Sequence, residues 1–142
     1  MKTLIGVSLV IILAMGYYFT TGKSKSGNSR WYTKAQVENG RKLFAANCAS
    51  CHGLKAEKTL NWREKLADGS YPPPPLNGSA HAWHHSFAQL IRQINDGGAI
   101  YGGKMPGFRG ALDDSEKKDI ISYFQSFWND KIYKSWYERS GL

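Results

Sequence analysis

Residues Cys48-Ala49-Ser50-Cys51-His52 set two thiols three positions apart with an imidazole directly behind them. Two intervening residues let both sulfurs reach one edge of a flat macrocycle while the chain turns the imidazole onto its central axis. This is the attachment signature of c-type haem: the thiols add to the porphyrin vinyl groups as thioethers, and the histidine becomes the proximal iron ligand. Both cysteines of the chain are spent this way, so no disulfide is left to stabilise the fold. The porphyrin instead supplies apolar surface to the core of a domain that would otherwise be marginal.

A C-x-x-C pair has three other uses. A redox dithiol would sit in a strand–helix pattern, and no βαβ run surrounds this one. Zinc would need two more ligands, which His81 with His84 or His85 would have to supply. The stretch between Cys51 and His81 runs from residue 52 to residue 80, far beyond the roughly 12–15 residues of the usual finger pattern. Zinc would also leave His52 without a role, and a plain Cys48–Cys51 disulfide is rarer still.

A chain of 142 residues is one domain with accessories, since single domains typically take about 100–150. The formal charge of +8 raises nucleic acid as a partner. The basic residues are scattered, however, and no helix-turn-helix, RNP or finger pattern is present, so nucleic acid is set aside. A positive face that steers the chain toward redox proteins with acidic docking surfaces accounts for the charge better than solubility alone.

Along the chain, Lys2 precedes an apolar stretch from Thr3 to Phe19. Its length is at the lower edge of the roughly 17–25 residues of a spanning helix and slightly beyond the roughly 7–15 of a signal-peptide core. No clean cleavage site follows, and Tyr17-Tyr18-Phe19 suits an interfacial aromatic belt. Residues 1–22 are therefore expected to be a membrane anchor or a signal peptide. Residues 23–30 form a flexible Gly/Ser/Lys-rich linker, residues 31–128 the folded domain and residues 129–142 an aromatic C-terminal extension that wraps back over it. Lys23, Lys25 and Arg30 oppose the positive-inside rule if the C-terminus is exported.

Within the domain, Thr33 and Gln36 fit a capping box, followed by Val37, Gly40, Leu43 and Phe44 at helical spacing. A glycine inside a helix costs about 1 kcal/mol relative to alanine, so Gly40 is expected to mark a close helix crossing. A short helix is expected around Leu60 to Leu66, then a stiff polyproline-like loop over Pro72 to Pro75. A further helix spans Ser86 to Asp96, with Phe87, Leu90, Ile91 and Ile94 facing inward, and stops at Gly97-Gly98. Asp113 and Glu116 cap the last helix, whose broad apolar face includes Ile120, Ile121, Tyr123, Phe124, Phe127 and Trp128. No strand is expected, and the fold class is all-α.

Met105 is the candidate distal ligand, because Met1 and Met15 lie in the N-terminal apolar segment. Enough chain separates it from His52 to cross a haem and return over the other face. Its place in Gly102-Gly103-Lys104-Met105-Pro106-Gly107 favours iron ligation over the core-filling role common for methionine. A thioether raises the potential, and two filled axial positions favour electron exchange over substrate binding. His81, His84 or His85 in its place would give a lower-potential bis-histidine site. Otherwise some of them, with Trp83, border the haem pocket and bond a propionate.

The order of helix, CASCH, proline loop, helix, GGKMPGF and final helix resembles the class I c-type cytochromes, the bacterial monohaem electron carriers. The resemblance covers roughly residues 30–128. It implies a cytochrome c-like helical fold wrapped around one covalent haem c. It also implies that Gly40 and Phe44 pack against Tyr123, and that the Pro74 carbonyl accepts the His52 imidazole N–H within Pro74-Pro75-Leu76. The four-proline run leaves that register open by one residue. The site set is thus Cys48 and Cys51 as thioether positions, His52 and Met105 as iron ligands, and Pro74, Leu76 and Trp83 around the haem. The implied role is one-electron transfer between a membrane dehydrogenase or quinol-oxidising complex and a terminal oxidase. It would be carried out on the periplasmic side of the bacterial inner membrane. A relay subunit of a larger complex, or a haem-based sensor or enzyme lacking the Met105 bond, is the alternative.

Overall fold

The structure, a computed structural model, describes residues 30–140 and 142. The expected anchor or signal peptide at 1–22 and nearly all of the linker at 23–30 lie outside the described residues.

Helix α1 (Lys34–Asn47) begins where the Thr33 hydroxyl accepts from the Gln36 amide and the Gln36 side chain accepts from the Thr33 amide. It runs into the short helix α2 (Ala49–His52), which carries the C-x-x-C-H motif. Helix α3 (Phe87–Asp96) starts from an equivalent box between Ser86 and Gln89. It ends at Gly97, whose φ of 77° lies in the region glycine adopts without strain. Helix α4 (Asp114–Gln125) opens on the Asp113–Glu116 box, with Asp114 and Glu116 in its positive first turn. Helix α5 (Asp130–Ser140) forms the C-terminal arm. Among the described residues the only strand-like element is an isolated parallel bridge between Tyr71 and Gly103. The fold is all-α.

The crossing of α1 over α4 is the frame on which the rest is hung. An ideal Cβ on Gly40 would lie 1.9 Å from the Asp119 carbonyl oxygen, so only glycine permits this approach. Beside it the Phe44 and Tyr123 rings meet at 5.2 Å between centroids. Asn39 Nδ2 donates to Asp119 across the same seam at 2.6 Å. Ile120, Ile121 and Phe124 complete the buried face of α4. The inward face of α3 is as expected, with Leu90 and Ile94 buried.

Three details depart from the sequence expectation. Residues 60–66 form turns rather than a helix, and Leu60 stands 92% exposed. A short helix depends on packing an apolar face, and Leu60 and Leu66 find none. Helix α4 closes at Gln125, so Phe127 is partly exposed while Trp128 turns inward through a bond from its amide to the Gln125 carbonyl. The aromatic extension does not merely lie over the domain: it is helical and inserts Tyr133 and Trp136 into the core. Trp136 Nε1 donates to the His85 carbonyl at 2.8 Å, and Trp128 Nε1 to the Leu76 carbonyl at 2.7 Å. Two buried indoles thereby fix both ends of the loop between the prolines and α3.

Candidate haem site

Helix α1 ends at Cys48, whose amide donates to the Phe44 carbonyl, and the chain turns at once into α2. Cys48 is half-buried, Cys51 is exposed, and the two thiols are unbridged. Burial, and secondarily the neighbouring Cys51, push the Cys48 thiol up to about 11, so it stays protonated at neutral pH. Among the described residues no group of three or more His, Cys, Asp and Glu is placed to hold a metal ion. The zinc reading therefore has no ligand geometry behind it.

His52 is 6% exposed, and its Nδ1 lies 3.0 Å from the Pro74 carbonyl oxygen. A carbonyl can only accept, so Nδ1 carries the proton and Nε2 keeps its lone pair. Burial holds the imidazole below its ordinary pKa, with the Pro74 bond partly opposing. A neutral ring with one nitrogen fixed by a carbonyl is how proteins prepare a histidine to bind metal. Within the four-proline run it is Pro74, not its neighbours, that faces the ring. Leu76 follows, half-buried against the core and anchored through its amide to the Ala56 carbonyl.

Met105 is half-buried against the same core. Its loop is seated on the end of α3: the Gly98 amide donates to the Met105 carbonyl at 2.9 Å. Any side chain at position 97 would strike that carbonyl, since an ideal Cβ there lies 2.5 Å from it. The Gln93 amide nitrogen approaches the Met105 sulfur at 3.7 Å while donating to the Gly97 carbonyl at 2.8 Å. Sequence reasoning missed Gln93. A polar residue inside an amphipathic helix carries no local signal of what it faces.

Trp83 packs against the same core as Leu76 and Met105. Its ring stacks on His84 at 3.8 Å, and Arg139 of α5 packs over it and donates to its carbonyl. His81 stacks on Trp62 at 4.5 Å and meets His85 edge-on at 5.2 Å.

The donors fit a c-type haem: two unbridged thiols, one capping a short helix and one within it, a neutral imidazole with Nε2 available, and a thioether on a separate, fixed loop. A family profile described as cytochrome C oxidase, cbb3-type, subunit III matches residues 35–124, more than half of the chain. The chain belongs to this family and is a class I c-type cytochrome. It therefore carries one covalent haem c. The cytochrome is 29% identical over 136 residues to a cytochrome c6 of Synechocystis sp., covering 92% of this chain and 89% of that protein. It is 29% identical over 104 residues to the cbb3-type cytochrome c oxidase subunit CcoP of Azospirillum brasilense, spanning 73% of this chain and 32% of that one. A third relative, the thiosulfate dehydrogenase of Psychrobacter arcticus, is 38% identical over 89 residues, which span 62% of this chain and only 25% of that protein. No solved structure matches the chain.

Proposed function

We propose that this cytochrome is a one-electron carrier of a respiratory chain, with Cys48 and Cys51 as thioether positions and His52 and Met105 as the axial ligands. The observation that carries the reading is the neutral, buried His52 imidazole held by Pro74 beside the two thiols. A haem c bound there supplies reversible one-electron exchange at iron. The protein's own part is to fix the donors and keep them from moving. Pro74 orients His52, the end of α3 seats the Met105 loop, and Leu76 closes the apolar wall. Trp83 completes the surround from the loop that α5 holds in place. His52 and Met105 would both hold the iron, which would favour electron exchange over substrate binding, so the reading is a carrier rather than an enzyme.

Donor and acceptor would be a membrane dehydrogenase or quinol-oxidising complex and a terminal oxidase with acidic docking surfaces. The net charge of +8 supports that choice. Among the described residues no helix is long and apolar enough to cross a membrane. The placement on the periplasmic side of the inner membrane rests on the apolar run within residues 1–22. Similarity to an oxidase subunit favours a second reading, a relay fixed within a larger complex, and co-purification with membrane proteins would distinguish it.

The test is an optical redox titration of the haem-loaded full chain and of its Met105→Ala variant. The parent should titrate as one reversible one-electron centre and show the near-infrared sulfur-to-ferric-iron band. The variant should keep covalent haem, fall in potential and admit cyanide or carbon monoxide. An unchanged potential in the variant overturns Met105 as ligand, and an intact mass of bare polypeptide overturns the haem assignment.

A further inference from the structure

Residues 66–71 belong to the stretch between the haem signature and the prolines, and none of them serves the site described above. The structure nevertheless presses them against the loop that carries Met105. The Tyr71 amide donates to the Gly102 carbonyl at 2.9 Å, within the parallel bridge between Tyr71 and Gly103. Gly102 faces the Tyr71 ring so closely that a Cβ there would touch Cδ2 at 3.6 Å. Two positions further along, Lys104 pairs with Asp68, immediately before Met105.

The turn that makes these contacts is itself well held. Leu66 donates to the Ser70 carbonyl at 2.8 Å, and Gly69 to the Leu66 carbonyl at 2.9 Å. Ser70 donates to Asp68 through its amide and its hydroxyl, which aims the carboxylate. On the opposite side, Gly98 donates to Met105 at 2.9 Å and Gly103 donates to Gly98 at 3.0 Å. Residues 102–105 are thus gripped between the end of α3 and the 66–71 turn.

We propose that the 66–71 turn is a clamp that positions Met105, setting how readily its sulfur yields to an external ligand. The inference rests on Met105 being the distal ligand. Opening the Met105 loop away from the turn must break the Tyr71–Gly102 bond. The backbone bond is the stronger of the two grips. The Asp68–Lys104 pair is largely exposed, and exposed pairs contribute little.

The experiment uses ferric holoprotein of the full chain, titrated with imidazole while the near-infrared sulfur-to-iron band is followed. Tyr71→Pro removes the amide donor, and Tyr71→Phe retains both donor and ring. Imidazole should bind Tyr71→Pro about five- to tenfold more tightly than the parent, the effect of losing one hydrogen bond, and Tyr71→Phe as the parent does. Asp68→Lys should tighten binding by about twofold, and adding Lys104→Asp should reverse it. The charge pair decides the matter alone if Tyr71→Pro yields no holoprotein. Parent-like binding in the variants, with the band intact, overturns the clamp and leaves the Met105 ligand standing. A parent without the band overturns both.

Discussion

Replacing Gly40 by alanine adds one methyl group at the tightest point of the molecule. That carbon would sit 1.9 Å from the Asp119 carbonyl oxygen, 2.5 Å from its carbon and 3.1 Å from Tyr123 Cβ. A carbon settles against a carbonyl oxygen at about 3.3–3.6 Å, so the α1–α4 crossing must open by roughly 1.4 Å or more. Overpacking of this kind costs about 1–3 kcal/mol where a flexible side chain can give way. Here the obstacle is helix backbone, so the upper end applies or is exceeded. Alanine returns about 1 kcal/mol in helix propensity. The net loss should be about 2–3 kcal/mol, or about 10–20 °C in Tm for a domain of this size. Guanidinium titration of the holoprotein, followed by far-ultraviolet circular dichroism, measures it. A Gly40→Ala variant within about 0.5 kcal/mol of the parent, at unchanged m-value, would show that the crossing is not as close as described.

Trp136→Ala should cost about 3–5 kcal/mol in the same assay, because Trp136 is 1% exposed and its indole N–H satisfies the His85 carbonyl. A loss under about 1 kcal/mol would mean α5 is an appendage rather than part of the core. His81 and His85 both have pKa values lowered from 6.5, chiefly by burial. His85, His84 and Arg63 add repulsion at His81, and His84 does so at His85. A histidine whose pKa is depressed by folding takes up protons more readily in the unfolded chain. Stability is thus complete above about pH 6.5, falls as pH drops below it, and levels once the folded form is protonated. Tm should therefore decline as pH falls through about 6.5. Replacing both residues by glutamine should flatten that decline; an unchanged slope refutes the assignment.

Much of the architecture was legible because local rules and tertiary structure agree. Thr33, Ser86 and Asp113 begin their helices with the capping boxes that short-range hydrogen bonding allows. Gly40 announced a close crossing through its unfavourable place in a helix, and the crossing is there. Leu60 and Leu66 misled, since apolar spacing resembles a helix whether or not anything covers it. Residues 130–140 show an aromatic pattern in sequence and are helical in the fold. Their order comes from Arg30, Trp31 and His85, which are distant in the chain.

The haem chemistry is written in five consecutive residues, because thiol and imidazole spacing is a local property of the chain. The sequence also narrows the distal ligand, since only one methionine lies within the folded domain. The long-range partners, by contrast, emerge only in the folded chain. The Pro74 carbonyl on His52 and the seat of Met105 on the end of α3 join segments far apart in sequence. The same holds for the 66–71 turn against Gly102 and for the two indoles that brace the intervening loop. Backbone donors and acceptors are alike at every residue, so no residue type foretells which of them will meet.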